Sequence, residues 1–554
     1  MSSWTLAGAT IVDGTGAEAR VGNVVIEDDR IASVGGDERQ GTVVDATGLI
    51  AAPGFVDIHS HLDWILPLPD GPTLVAPNVQ QGITTSVAGN CGISPAPLGD
   101  FSHRDSIERM PLAGAVSGRL DWNWRTLEEY FVEVERRGTP LNLACFVGHS
   151  TLRAGVLGDA QRSASPTEMR QMHLLLKEGL RDGAVGLSVG LEYFPGRYAG
   201  PSEVTELTQI AAASDALVAV HTRGISELFD EAMDEALSFA RASRCRLQIA
   251  HVNPMGRANW DGIDGLFERV DRARDDGLDI AFDIVGYTAW TMTAIEALPH
   301  TVADLGTDAV LEMTATKDGR SHLRKLVEDA WPSWPPWLEG RVTRNVLLEM
   351  GWDAIFLADD APGFEAVRGT SVAELARERS ADPFDLYFDF LAASRGSARI
   401  VNDGYGGDAQ DDAPLPRLVG RADAIPETDT VVISAQGKLS VPLPMFWGTM
   451  PRFLGRFARD LELVPPAKAI QRITQLPARR ARLAGRGELV PGAFADVVVL
   501  DWDRVGDAGT FLDPAPATGI EWVFVNGEPV VRERTYDPGR LPGRALRARA
   551  AHAA

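Results

Sequence analysis

Strand-sized apolar runs alternate with amphipathic stretches through most of the chain, which is the pattern of repeated βα units. Eight runs stand out: GFVDIH at 54–59, ITTSVAG at 83–89, NLACFVG at 142–148, AVGLSVG at 184–190, ALVAVH at 216–221, RLQIAH at 246–251, LDIAFD at 278–283 and TVVISAQG at 430–437. Continuous apolar strands are those of a parallel sheet covered on both faces, and eight of them predict an α/β fold, a (β/α)8 TIM barrel over residues 54–475. The two ends of the chain read differently. WTLAGATIVDG, GNVVIEDDRIASVG and GTVVDATG near the start, and ADVVVLD and IEWVFVNGEPVV near the end, are β-branched runs broken by Gly and Asp. The Asn526-Gly527 pair marks a hairpin turn. These segments, 1–53 and 476–554, predict one small β-sandwich domain built from both chain ends.

The spacing is uneven in one place. Roughly 145 residues separate the seventh and eighth runs, far more than one helix and its loops require. An insertion is expected between strands seven and eight, around 295–365. It carries WPSWPPW, from Trp331 to Trp337. Proline at this density cannot continue a helix, and the segment reads either as an aromatic lid over the barrel mouth or as a packed surface loop.

Chemistry gathers at the C-terminal ends of the strands. Side chains alternate along a strand, so His59 and His61 of DIHSHLD point to one side. His221 closes the fifth run and His251 the sixth, and Cys91 in AGNCGISPAP follows the second. Four of the ten histidines at equivalent ends of barrel strands, with a thiolate among them, form a metal-site pattern suited to Zn2+. Cys145 and Cys245 lack such company and read as packing residues.

Composition narrows the classes. The hydrophobic fraction of 45% and charged fraction of 23% are those of a globular chain. A net charge of −24 over 554 residues repels nucleic acid and anionic membranes, and the three cysteines cannot form a disulfide framework. Without a membrane-length apolar stretch or a leader pattern, a cytoplasmic protein with a small-molecule substrate is expected. The sequence leaves open whether copies of it assemble into a homo-oligomer.

Together these motifs resemble the amidohydrolase superfamily, and within it the D-aminoacylase (N-acyl-D-amino-acid deacylase) type. The carriers are GFVDIHSHLD, GNCGISPAP, VGHSTLR at 147–153, GLSVGLEYFPG at 186–196, HTRG at 221, AHVNPMG at 250, WGTMPRFLGRF at 447–457 and the closing PARRARLAGRGELVPGAFADVVVLD. The resemblance implies a tight zinc on Cys91, His221 and His251, with His59 and His61 available to a second, weaker metal. It also implies that Tyr193 contacts the scissile carbonyl oxygen, while zinc activates water and polarises that carbonyl.

Some positions depart from the family pattern. The eighth strand of such proteins ends in an aspartate that acts as general base; aligned on Gly437 of VVISAQG, that position is Gln436, which cannot accept a proton. Asp63, Asp283 and whichever of His59 and His61 is free of metal are the replacement candidates; the two acids read alternatively as groups that orient a histidine or cap a helix. The cationic groups expected to clamp a substrate carboxylate are replaced by Asn253 and, in LSVPLPMFWG, by Pro444 and Met445. Arg223 is left either as an anion contact or as one half of a salt bridge within the barrel mouth, and Tyr287, Asn253 and Met445 as further pocket residues. The expected function is therefore a zinc-dependent hydrolase of a C–N bond in a small substrate, uncharged or aromatic. The alternatives are a metal-retaining relative with non-hydrolytic chemistry, such as acyl transfer, decarboxylation or rearrangement, and a non-catalytic binding protein.

Overall fold

The computed structural model describes residues 3–338, 341–435 and 438–548. Eight parallel strands form the barrel, hydrogen-bonded in sequence order. They are Phe55–Asp57, Ile83–Ala88, Asn142–Gly148, Gly186–Gly190, Leu217–His221, Arg246–Ile249, Ile280–Val285 and Ala424–Glu427. Seven match the expected runs. The eighth does not: TVVISAQG is not the barrel strand, whose place is taken by Ala424–Glu427, paired in parallel with Ile280–Val285. Pro426 hides this strand from pattern reading, because proline is a poor occupant of a central strand. Here it is tolerated because the link to the first strand lies beyond it. Asp429 N donates to His59 O at 3.0 Å and His61 N to Thr430 O at 2.9 Å, which brings the last strand against the first. Ile433–Ala435 forms instead a short hairpin with Lys438–Ser440, and Gln436 lies outside the described residues.

Helices between the strands have well-formed starts. Leu127–Arg137 and Pro166–Arg181 each open with a capping box, Thr126 with Glu129 and Ser165 with Glu168. These satisfy orphan backbone donors at the first turn.

Both chain ends meet in one nine-stranded sheet. Ile50–Pro53 lies between Ser3–Ile11 on one side and Val497–Leu500 on the other. Its apolar face includes Leu6, Ile26, Val497 and Phe524.

The segment between strands seven and eight is broader than 295–365. It has its own antiparallel sheet, with Arg399–Asp403 between Ala289–Thr293 and Ile355–Leu357. Helices Val372–Arg379 and Pro383–Ala393 belong to it as well, sharing an apolar cluster in which Leu323, Val346, Tyr387 and Phe388 are buried. No helix among the described residues is long and apolar enough to cross a membrane.

Candidate active site

The barrel ends bring five donor side chains together. Cys91 Sγ lies 3.3 Å from His59 Nε2 and 3.6 Å from both His221 Nδ1 and His251 Nε2. Those last two nitrogens are 2.7 Å apart. Local backbone contributes to the convergence: Cys91 has φ +51° and His251 φ +32°, left-handed values uncommon for residues other than glycine. The Cys91 turn presses on the end of the fourth strand so closely that a Cβ on Gly190 would sit 2.0 Å from Cys91 O. Only glycine fits there.

A carboxylate completes the cluster. Asp429 Oδ1 is 3.2 Å from His61 Nε2 and 3.4 Å from His59 Nε2. It is not among the expected site residues because the sequence pattern puts the eighth strand at 430–437, past its actual place at Ala424–Glu427. The alternation of two acids in PETDT after Ala424-Ile425 was the available signal. The residue at the strand end is therefore an acid, and the departure inferred at Gln436 is an error of register.

The donor set fits zinc. Ligand atoms of Cys91, His221 and His251 form one group, and those of His59, His61, Cys91 and Asp429 a second; within each group all lie within 4.8 Å of one another. Cys91 belongs to both. Burial, reinforced by Asp429, Glu427, Asp283 and Glu192, pushes its thiol well above the ordinary range. A thiolate in this acidic surrounding requires a cation beside it. Burial drives His251 well below its usual value, and His221 beside it adds to that, leaving a neutral imidazole with a lone pair to offer.

Carboxylates orient the rings. His221 Nε2 is 2.9 Å from Glu192 Oε2, which fixes Nδ1 as the nitrogen facing the cluster. Against its burial, Glu192 is held below its ordinary value by Arg344, whose Nε is 2.6 Å away, and by His221. Asp283 is occupied in the same way: it accepts from His251 N at 2.6 Å and Gln248 Nε2 at 2.7 Å, and lies 3.4 Å from His59 Nδ1. It positions ligands and is not a free base. Asp63 is fully buried, is pushed well up by that burial, and lines neither cavity described below.

The two acids at the end of the eighth strand titrate apart. Burial, then Asp429, Asp283 and Asp57, push Glu427 well above the carboxylate range. Burial acts on Asp429 too, but His59, His61 and His251 outweigh it and hold this carboxyl well below. Asp429 is thus the ionised acid at the mouth.

Two connected cavities open on the cluster. The inner one, about 60 Å3, contains His221, His251 and Asp429 and is walled by Tyr193, Trp290, Tyr405 and Arg344. The outer one, about 670 Å3, shares Tyr193, Trp290, Arg344 and Asp429 and reaches His61 and Cys91. A third depression of about 690 Å3, between helices Pro166–Arg181 and Pro201–Ala213 at the opposite barrel end, holds none of these residues.

The expected substrate contacts divide. Tyr193 lines both cavities, its ring centroid 4.5 Å from that of His221. Tyr287 and Asn253 line the inner cavity, but each has partners. Tyr287 Oη donates to Asp507 at 3.1 Å, and the Asn253 amide bonds the backbone N and O of Val285. Arg223 takes the salt-bridge reading and not the substrate contact: it is fully buried, paired with Glu235 at 2.8 Å and bonded to the carbonyls of Arg197 and Ala199. Met445 is a correction, fully buried and lining neither cavity. The tryptophan-rich loop does not roof the mouth. Trp337 stacks over Arg223 at 4.7 Å and packs edge-on to Trp334, and it is Trp290, Arg344 and Tyr405 that the insertion sends to the site. Sequence spacing gave no sign of Arg344 or Glu192.

Comparison with known proteins shows the family. A model of the amidohydrolase family matches residues 42–531. D-aminoacylase of Alcaligenes xylosoxydans xylosoxydans is 32% identical over 98% of this chain and 96% of its own length. N-acyl-D-glutamate deacylase of the same organism is 30% identical over 98% and 95%. Among solved structures, N-acyl-D-glutamate deacylase from Bordetella bronchiseptica, complexed with zinc and a phosphonate inhibitor, superposes with a TM-score of 0.77 at 28% identity, covering 98% and 99% of the two chains. A D-aminoacylase from a study of one-metal activation and second-metal attenuation in a binuclear metal center gives 0.75 at 27% identity, covering 99% of each. The chain belongs to the amidohydrolase family. Within that family it is a D-aminoacylase-like hydrolase acting on carbon–nitrogen amide bonds.

Proposed function

We propose that the protein is a zinc-dependent deacylase of small N-acylated amino acids, with Asp429 as the group that moves the proton. The observation that carries this reading is the position of Asp429, ionised and 3.2 Å from His61 Nε2 at the rim of a Cys91–His221–His251 donor set. Zinc, when bound there, would polarise the scissile carbonyl and make water a nucleophile near neutral pH. Tyr193 faces both cavities, where its hydroxyl can donate to the carbonyl oxygen as charge develops on it. Asp429 accepts the proton of the attacking water and returns it to the departing nitrogen, so the amine leaves neutral.

Arg344 changes the expected substrate. It is the sole Lys or Arg among the described residues lining the inner cavity. A guanidinium there is suited to a substrate carboxylate, which supports an acylated amino acid in place of the uncharged substrate expected from Asn253 and Met445. The donors His59 and His61, with Cys91 and Asp429, would hold the second, weaker ion.

The test is metal analysis with a substrate screen. Purified protein is expected to hold about one tight zinc and to release amino acid from N-acylated amino acids. No hydrolysis of any N-acyl amino acid by the zinc-loaded protein would refute the reading.

A further inference from the structure

The outer cavity is more than ten times the volume of the inner one, about 670 Å3 against about 60 Å3. Its walls are unequal in chemistry. One wall is aliphatic: Leu112 and Ala115 at the helix Ala113–Val116, Ile93 behind Cys91, and Val431, Val432 and Ile433 just past the eighth strand. The rest of the lining is polar, and most of its charged heads have partners, Arg344 with Glu192 among them. Arg197 pairs with Asp304, Glu296 accepts from Thr293 N and Oγ1, and Arg109 pairs with Asp159, while Arg395 stands at the exposed rim. The chamber therefore offers a ligand one aliphatic strip, with the paired charges and a few hydroxyls such as Thr291 and Thr343 around it. It is continuous with the metal cluster, because His61, Cys91 and Asp429 lie on the same wall.

Resting on the deacylase reading, we infer that this chamber is the acyl subsite and that the preferred acyl group is a linear alkyl chain of about six carbons or more. The amine half of the substrate, small and held through its carboxylate by Arg344, fills the inner cavity. The acyl half then extends from the shared rim of Tyr193 and Asp429 along Leu112 and Val432. Burying successive methylenes against aliphatic side chains drives binding, at about two- to fourfold in affinity for each one covered.

The experiment compares N-acetyl-, N-hexanoyl- and N-decanoyl-DL-alanine with the zinc-loaded full-length protein. The expected result is a kcat/KM for the decanoyl compound about 100-fold or more above that of the acetyl compound. Leu112→Glu and Ala115→Glu, at half-buried positions and checked for native melting, each cut that ratio tenfold or more. Equal kcat/KM for the three substrates overturns the inference while leaving the deacylase reading intact. If none is hydrolysed, the deacylase reading falls and the chamber is judged by calorimetry. Decanoate binding at least tenfold tighter than acetate, and weakened by both substitutions, supports an alkyl site; equal affinity, or no response to either substitution, overturns it.

Discussion

The backbone N–H of Asp429 donates to the carbonyl oxygen of His59, so the bond that brings the last strand against the first also sets the carboxylate beside the HxH pair. Proton transfer by such a group contributes roughly 10²–10⁴-fold to rate. Asp429→Asn is therefore expected to lower kcat by that range with the tight zinc retained, measured by steady-state kinetics and metal analysis on the same sample. Gln436→Asp should not rescue the loss.

Cys91 is common to both donor groups, so its loss differs from that of any histidine. Cys91→Ala is expected to abolish zinc binding altogether, whereas His61→Ala removes only the weaker ion. Elemental analysis after dialysis distinguishes them. Excess zinc is expected to slow turnover of the native protein by engaging Asp429, and His61→Ala should relieve the slowing.

Much of this was legible beforehand. His59, His61, His221 and His251 stood at strand ends because period-two alternation and apolar runs mark parallel strands well, and Cys91 followed the second run in the same way. What stayed hidden depends on contacts distant in sequence. Arg344 reaches Glu192, and through it His221, from a segment whose local pattern says nothing of where it will fold. Asp429 was obscured for a local reason, a proline inside a four-residue strand beside the more strand-like TVVIS.

Arg344 is expected to act on substrate binding. Arg344→Ala should raise KM about 10- to 100-fold for N-acylated amino acids, the worth of a charged hydrogen bond, and should raise it far less for the corresponding N-acyl amines lacking the carboxylate. Parallel Michaelis–Menten curves for the two substrate types read out the difference.

A buried network behind the site contributes to acid stability. Glu203 accepts from Arg153 at 2.6 Å, lies 2.9 Å from His149 Nε2 and accepts from Ala164 N at 3.2 Å. Burial raises its pKa, but His149 and Arg153 outweigh that and lower it from 4.5 to about 2. Between those values the unfolded chain binds the extra proton, so this contribution is complete above about pH 4.5 and is lost as pH falls toward about 2. Glu203→Gln leaves Arg153 buried and unpaired, at a cost of about 3–5 kcal/mol near neutral pH. Urea melts of native and variant protein should differ by that amount at pH 7 and converge as the acid is titrated.

Synthesis imposes a delay on the sheet that joins the two chain ends. Ile50–Pro53 emerges with its neighbour on one flank, Ser3–Ile11, already made, but its other flank waits for Val497–Leu500. At 5–20 residues per second the roughly 440 intervening residues take about 20–90 s to translate. For that interval the nascent chain presents an open strand edge, the kind that recruits other chains. Chaperone demand should therefore be greatest before the final strands emerge, and a ribosome stalled short of residue 497 would leave a product prone to aggregate even with every metal ligand already in place.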